Sequence, residues 1–304
     1  MTVPFNRPLT MATRRSALAL TQSRAFAAAL TQAHPGLIVS ELLLVTAGDR
    51  IQDRPLQDLG GKALFIKELE EALLDGRADL AVHSIKDVPA ELPEGLALGC
   101  IPLREDPRDV LVSREGARLA ELPTGAVVGT SSLRRMVALR EARPDLRVVA
   151  MRGNVDTRLR KLKDGEVDAI VLALAGMKRL GLEAEATEVL AVDVSLPAVG
   201  QGALGIECRA DDRVVIDVLA ALAHDETTIC VTAERAVMAA VDGSCKTPVA
   251  AYAVRDSASL WLRAMLAEPD GSNVRYGERR SAYSSDARDA ERLGLDLGQA
   301  LKMG

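Results

Sequence analysis

Asp75-Gly76-Arg77-Ala78-Asp79-Leu80-Ala81-Val82 returns in pattern, later in the chain, as Asp164-Gly165-Glu166-Val167-Asp168-Ala169-Ile170-Val171. Each copy reads as a helix end, a tight turn at glycine, an acidic residue and then a buried strand. One such match also arises by chance. The alternative is two similar α/β lobes in which strands and helices alternate. In open α/β sheets ligands bind at the carboxyl ends of the strands, so a cleft between lobes is the expected site.

Upstream of the first copy, Leu37 to Val45 is apolar and β-prone and reads as a strand. Ala47 to Gly61 is rich in Gly, Asp, Arg and Pro without periodicity, which predicts a long exposed loop of the kind that serves as a lid. From Lys62 the pattern turns helical, with Phe65, Ile66, Leu69, Ala72 and Leu73 on one face. Upstream of the second copy, Val127-Val128-Gly129 reads as a strand end, and Ser132 to Ala142 as a helix stopped by Pro144. Arg147 to Met151 reads as a strand ending in Arg152-Gly153-Asn154, followed by a helix with Val155, Leu159 and Leu162 as its apolar stripe. After about residue 223 the pattern changes. Asp225 to Val241 is helical, Pro248 to Arg255 and Leu260 to Leu266 are strands, Pro269-Asp270-Gly271 is a turn, and a last helix starts near Asp286. This predicts a smaller third domain of mixed α and β.

With 304 residues, 48% of them hydrophobic, the chain has enough apolar surface for two or three cores. Its longest apolar run, Ala169 to Met177, is well short of the ~20 residues that span a bilayer, so a soluble protein is expected. The cysteines Cys100, Cys208, Cys230 and Cys245 form no CxxC pair, which fits a reducing cytoplasm better than disulfide stapling. His34, His83 and His224 are too scattered for a metal site. A net charge of -5 and 2% aromatic residues argue against nucleic acid and anionic membranes as partners. The first forty residues hold no Asp or Glu but carry Arg7, Arg14, Arg15 and Arg24. That composition suits an organelle transit peptide or, equally, a first strand and helix whose basic residues serve a site.

Chemistry concentrates where strands end. Gly129-Thr130-Ser131-Ser132 leads into a helix whose first N–H groups and dipole favour an anion. Arg134 and Arg135 add two guanidinium forks suited to carboxylate or phosphate, unless the turn is a plain serine cap with solvated arginines. On the next helix, at about 100° per residue, Arg158 borders the apolar stripe while Arg160 and Lys161 point away from it. Arg179 follows the next strand. These arginines suit a ligand with many carboxylates or phosphates. Lys86-Asp87 follows a strand from Ala78 to Ser84, where an acid beside a lysine carries protons or stabilises a cation, or simply forms a turn salt bridge before Pro89. Cys245 lies in Asp242-Gly243-Ser244-Cys245-Lys246, a flexible turn near a cation that suits a nucleophile or no function at all.

Taken together the motifs resemble the porphobilinogen deaminase family in order and spacing over nearly the whole chain. The resemblance rests on Ala12-Thr13-Arg14-Arg15-Ser16, Gly60-Gly61-Lys62-Ala63-Leu64-Phe65, Ala81-Val82-His83-Ser84-Ile85-Lys86-Asp87-Val88-Pro89 and Arg104-Glu105-Asp106-Pro107-Arg108-Asp109. It continues through Gly129-Thr130-Ser131-Ser132-Leu133-Arg134-Arg135, Arg152-Gly153-Asn154-Val155, Leu196-Pro197-Ala198-Val199-Gly200-Gln201-Gly202 and the Cys245 turn. It turns the basic N-terminus from a transit peptide into part of a site.

The resemblance implies two α/β lobes like a periplasmic binding protein plus a smaller α+β C-terminal domain. Residues 1–105 with 200–222 would form domain 1, residues 106–199 domain 2 and residues 223–304 domain 3. It implies hydroxymethylbilane synthase activity, a transferase reaction of haem-type tetrapyrrole biosynthesis that condenses four porphobilinogen molecules head to tail and releases the chain by hydrolysis. It also implies a dipyrromethane cofactor on a thioether at Cys245, with porphobilinogen and the growing polypyrrole as partners. Asp87 would be catalytic. Ser84, Lys86, Thr130, Ser132, Arg134 and Arg135 match the cofactor-carboxylate set, and Arg14, Ser16, Arg152, Arg158 and Arg179 the substrate-carboxylate set. Lys62, Phe65 and Gln201 are lid or cleft candidates. No metal, nucleic acid or membrane is implied, and the expected protein is a cytoplasmic monomer. Two features depart from the family pattern: the acid Asp156, close to Arg158, and an early end at Gly304. The rival reading is a non-catalytic binding protein of the same two-lobed fold.

Overall fold

The structure, a computed structural model, describes residues 7–50, 65–243 and 247–304. Its first stretch runs β1 (Leu9–Arg14), α1 (Ala17–Ala33), β2 (Val39–Leu44), α2 (Ala47–Arg50), α3 (Lys67–Leu74), β3 (Leu80–Ser84) and β4 (Leu96–Cys100). Next come β5 (Asp109–Ser113), β6 (Val127–Gly129), α4 (Leu133–Ala142), β7 (Arg147–Val149), α5 (Val155–Lys163), β8 (Ala169–Ala173), α6 (Leu174–Arg179) and β9 (Glu188–Val189). The chain then returns through β10 (Leu204–Arg209) and α7 (Arg213–Leu219). It ends with α8 (Asp225–Ala240), β11 (Val249–Asp256), β12 (Ser259–Leu266), β13 (Arg275–Ala282) and α9 (Ala287–Met303). Met1–Arg104 with Ala203–Thr228 form one compact unit, and Glu105–Gly202 with Ile229–Gly304 the other.

Both large sheets have the same plan. The first has strand order β2-β1-β3-β10-β4 and the second β7-β6-β8-β5-β9. In the first, β1 runs parallel to β2 and β3, while β10 lies antiparallel to β3 and β4. In the second, β6 runs parallel to β7 and β8, while β5 lies antiparallel to β8 and β9. The repeated sequence therefore supplies the third parallel strand of each sheet, β3 and β8. Gly76 and Gly165 end α3 and α5 at φ 77° and 80°, the left-handed conformation that glycine adopts without a Cβ clash. The acid three residues on then brackets the start of the neighbouring parallel strand, β1 or β6. Asp79 N–H donates to Thr10 O while Thr10 N–H donates to Asp79 Oδ2, both at 2.8 Å. Asp168 N–H donates to Val127 O at 2.9 Å while Val127 N–H donates to Asp168 Oδ2 at 2.8 Å.

Burial on both faces explains the uninterrupted apolar strands. On one face of the first sheet, Met11, Leu80, Val82, Ile206 and Cys208 pack with Phe26 and Leu30 of α1. On the other, Ala12 and Ala81 pack with Leu69, Ala72 and Leu73 of α3. The second sheet likewise has one core around Val110, Ile170 and Leu172 and another around Leu111, Val128 and Val171. The C-terminal region is the expected smaller α+β domain, a sheet of order β11-β12-β13 packed by α9.

Three local expectations need correction. Residues 47–50 are helical and not loop, because Glu68 Oε1 accepts the Ala47 N–H at 2.8 Å and supplies the helix start with a partner. The rest of that expected lid, and Lys62, lie outside the described residues. β13 escaped notice because Arg-Tyr-Gly-Glu-Arg-Arg-Ser-Ala is an edge strand, largely exposed and charged. Lys161 does not point fully to solvent: its side chain is 30% exposed and lies 3.8 Å from Glu166.

Asp79 is nearly inaccessible, bonded by Arg7, Arg209 and the Thr10 N–H. Burial alone would raise its carboxyl, but these partners hold it below the usual range. Asp168 has an exposed side chain by comparison, 39% against 6%. Asp79→Asn should therefore destabilise by about 3 kcal/mol at pH 7, and Asp168→Asn by about 1 kcal/mol. Because the folded carboxyl is depressed, its stabilisation is present above the ordinary Asp value and lost as pH falls through the folded one. Denaturant melts of wild type and Asp79→Asn should thus keep a constant gap above the ordinary Asp range and draw together as pH falls below it; a gap that stays constant through the acid range would deny the ionised carboxylate its role.

Candidate active site

In the second unit the carboxyl ends of the neighbouring strands β7, β6 and β8 each deliver basic residues. At the end of β6, Thr130 N–H donates to Val149 O at 2.9 Å, and Thr130 Oγ1 accepts the Ser132 N–H at 3.1 Å. Ser132 is the N-cap of α4 and accepts the Arg135 N–H at 3.4 Å. The serine cap is real, but the arginines behind it are not solvated: Arg134 and Arg135 are 5% and 7% exposed.

Both face Asp109, the first residue of β5, which is fully buried. Arg134 Nη1 lies 2.8 Å from Asp109 Oδ2, and Arg135 grips Oδ1 through Nε at 3.1 Å and Nη2 at 2.7 Å. Ser195 Oγ donates to Oδ2 at 2.7 Å and Gln201 Nε2 to Oδ1 at 2.9 Å. Burial would push this carboxyl up, but the two guanidinium charges override it and hold it far below the usual carboxylate range. Gln201, expected at a lid or cleft edge, is thus an interior residue, 1% exposed and also donating to Pro107 O at 2.6 Å.

Beyond Asp109 the positive charge is in excess. Arg152, after β7, has a buried Nη1 without a hydrogen-bond partner, and Arg134 Nε is in the same state. Arg158 on α5 donates from Nε to Gly153 O at 2.8 Å. Its guanidinium is pushed down to about 10 by burial and then by the charges of Arg135 and Arg152. Asp156 sits exposed in the first turn of α5, and among the described residues no ion pair joins it to Arg158. Arg160, by contrast, is exposed and reaches only Asp164, at 4.0 Å. Arg179, at the end of α6, donates to Gly202 O at 2.7 Å, and burial lowers its pKa against the opposing pull of Glu105.

The first unit carries its own set at the carboxyl ends of β1 and β3. Arg14 ends β1, its guanidinium 4.4 Å from the Phe65 ring centroid. Ser16 is the N-cap of α1 and accepts the Ala19 N–H at 3.4 Å. Ser84 ends β3 and pairs with Gln22 Nε2 at 3.2 Å. Lys86 and Asp87 are half-buried in the single 3-10 turn that follows, Ile85–Asp87, whose first N–H donates to Ala203 O at 3.1 Å. Cys245 lies outside the described residues. The other three cysteines are buried, and burial pushes the Cys100 thiol up to about 12 and that of Cys208 to about 11, so neither is a thiolate near neutrality.

Sequence reasoning gave Asp109 and Gln22 no role. The signal for Asp109 was present: an acid opening the apolar strand Asp109-Val110-Leu111-Val112 has to meet a buried cation. Gln22 offered none: it is one of two buried polar residues on α1, with Ser23, and its partner Ser84 stands 62 residues away.

Two α/β sheets of one plan, the second with buried, unpartnered guanidinium nitrogens on Arg134 and Arg152 beyond its parallel strands, define an α/β protein with a local excess of buried positive charge. The sequence model of "Porphobilinogen deaminase, dipyromethane cofactor binding domain" matches residues 9–217, and that of "Porphobilinogen deaminase, C-terminal domain" matches residues 228–303. The chain belongs to the porphobilinogen deaminase family. A curated relative, the porphobilinogen deaminase of Sorangium cellulosum (strain So ce56), is 72% identical over 296 residues, covering 97% of this chain and 99% of that protein. Among solved structures, a YaeC-family lipoprotein from Enterococcus faecalis V583 aligns at a TM-score of 0.45 and 15% identity over 73% of this chain and 94% of that one. Substrate binding domain 2 of Lactococcus lactis GlnP, in an open conformation, aligns at 0.45 and 12% identity over 73% and 90%.

The facing of α5 yields a direct test. A small polycarboxylate such as tricarballylate should raise the melting temperature of the protein. Arg158→Gln should lose roughly half or more of that rise, whereas Arg160→Gln should keep it, since only ligand bound to the folded state stabilises. Equal losses in the two variants would place the anion elsewhere.

Proposed function

We propose that this chain is a hydroxymethylbilane synthase, joining four porphobilinogen molecules head to tail and releasing the linear tetrapyrrole by hydrolysis. The observation that carries the reading is the buried, partnerless guanidinium nitrogen on each of Arg134 and Arg152, next to an Arg158 that burial and like charge depress. Porphobilinogen carries two carboxylates, and such groups satisfy those donors and that charge together. Family membership implies a dipyrromethane, and the same orphaned donors fit its carboxylates. When bound through a thioether to Cys245, that group supplies the free pyrrole α-carbon to which the first substrate is joined.

The chain's own residues then bind and manage protons. Ser84, Lys86, Thr130, Ser132, Arg134 and Arg135 hold the cofactor carboxylates, and Arg14, Ser16, Arg152, Arg158 and Arg179 those of the substrate. The capping duty of Ser16 and Ser132 uses only their lone pairs and leaves each O–H free to donate. In each addition the substrate's aminomethyl C–N bond breaks, the electron pair leaving on nitrogen as ammonia after a proton is gained. A C–C bond forms from the free α-carbon of the preceding ring, which then loses its proton. Asp87 places a carboxylate against the cationic ring and holds the proton at its pyrrole nitrogen. Hydrolysis would then release the chain: the C–C bond that tethers the methylene of the first-joined ring breaks, that methylene takes the water's OH, and the departing ring carbon takes its proton.

Residues 1–105 with 200–222, 106–199 and 223–304 form the three domains in this reading, which takes the protein as a cytoplasmic monomer. Among the described residues no helix is long and apolar enough to cross a membrane.

Two measurements test the proposal. Asp87→Asn should keep the fold while turnover falls by about a hundredfold or more, since each tenfold loss is about 1.36 kcal/mol of barrier; near-normal turnover would leave Asp87 a turn residue. Intact protein should weigh more than its sequence by two linked pyrrole units, all of it mapping to Cys245, and Cys245→Ser should lose both the added mass and the activity. Fully active protein with an unmodified Cys245 would falsify the attachment.

A further inference from the structure

Three ionisable side chains that the reaction does not use meet in the interior of the first unit. His83 on β3 and Glu207 on β10 are 5% and 0% exposed, and Glu70 on α3 is 8% exposed. Gly205 pairs with His83 and Glu207 with Ala81, so His83 and Glu207 are diagonal cross-strand neighbours on one sheet face. It is the α3 face, because Ala81 packs there with Leu69, Ala72 and Leu73. His83 Nε2 lies 2.9 Å from Glu207 Oε2, an ion-pair distance without hydrogen-bond geometry. Glu70 Oε1 and both Glu207 oxygens likewise have no hydrogen-bond partner.

Two carboxylates and one imidazole in a dry interface carry two negative charges, and the cluster is neutral only when it holds two added protons. Any other state leaves net charge buried, which is costly. We propose that Glu70, His83 and Glu207 are positioning residues, a proton-holding brace across α3, β3 and β10 that fixes where β3 releases the Lys86-Asp87 turn. His83 stands four residues before Asp87, and the turn's own anchor, Ile85 N–H to Ala203 O, joins the same two strands. This rests on the role of Asp87 given above.

The surrounding charges leave the proton to the brace. On α3, Lys67 and Glu71 point to solvent and pair with each other at 3.8 Å, while Glu68 accepts the Ala47 N–H. On β10, Arg209 bonds Asp79, Asp212 and the carbonyls of Leu73 and Ala78. On β1, Arg14 stacks on Phe65. Cys208 and Cys100, from β10 and β4, are buried in the opposite face, in the core with α1. Burial, and then the Glu207 charge, raises the Glu70 carboxyl to about 7, with His83 opposing. A raised carboxyl stabilises the protonated fold: the contribution is complete below the ordinary Glu range and is lost as pH rises through about 7.

Native-state hydrogen exchange of the holoenzyme, corrected for intrinsic rates, tests the brace separately from catalysis. Relative to Glu70→Gln, the wild-type protection of α3 and β3 amides should fall by about tenfold per pH unit between pH 5 and 7, and level off above. Glu207→Gln should end that fall at a lower pH, and it serves if Glu70→Gln does not fold. A pH-independent difference would overturn the proton-holding brace. For positioning, the ratio of kcat at pH 8 to kcat at pH 6.5 should be at least about threefold higher in Glu70→Gln than in wild type, with KM unchanged. An equal ratio overturns the link to Asp87. Failure of the catalytic reading itself has a separate signature, an active Asp87→Asn.

Discussion

Two guanidiniums and one carboxylate share a dry interior at Asp109, and the balance of charge there governs what the second unit can bind. An ionised carboxylate taken out of water alone would cost several kcal/mol, so Asp109 survives as an anion only because Arg134 and Arg135 grip both of its oxygens. Ser195 and Gln201 satisfy its remaining lone pairs, which makes the network complete on the acid's side. It is incomplete on the basic side. Two cations against one anion leave a unit of positive charge, and Arg134 Nε is buried with nothing to donate to. The same contacts tie β5 and α4 to the segments at 195 and 201, so the arginines are held by groups that cancel only one of their two charges.

The duplicated plan explains why the basic residues gather where they do. Asp79 and Asp168 each bond the backbone at or just inside the start of the neighbouring parallel strand, on both its N–H and its C=O. That bracket sets the stagger of β1 against β3 and of β6 against β8. Once the amino ends are registered, the carboxyl ends are too, and the turns after β6, β7 and β8 emerge side by side. Arg135, Arg152 and Arg158 can then act on one another through their charges, as the depressed Arg158 records.

How far the sequence foretold this follows from the physics of each feature. The internal echo was readable because a glycine-ended helix, an acid and an apolar run are all local signals, and they located the third strand of each sheet. The facing of Arg158 and Arg160 was readable from helical periodicity alone. For Asp109 only the need for a cation was readable: its partners stand 25 or more residues away on other elements, and nothing in Arg108-Asp109-Val110 says which cation it meets. The same holds for Glu70, His83 and Glu207, which a helix and two non-consecutive strands bring together. β13 was hidden for the opposite reason, since an edge strand with one exposed face carries the charges of a loop.

Why buried arginines should carry the recognition, when the chain has so many exposed ones, is a question of dielectric. Arg160 faces solvent with an acid 4.0 Å away, where ion pairs contribute at most about 1 kcal/mol and salt screens them. Arg134, Arg135, Arg152 and Arg158 have already given up part of their hydration on folding, and β5 supplies only one anion against them. A carboxylate arriving there gains charge-assisted bonds without displacing an existing partner of Arg134 Nε or Arg152 Nη1, and it relieves the mutual repulsion that lowers Arg158. On the proposed function the unit would favour ligands with several carboxylates: one would answer the charge left over at Asp109, and another the Arg152–Arg158 pair. A ligand with a single carboxylate leaves one of the two uncompensated, and binds less well for an electrostatic reason independent of its ring.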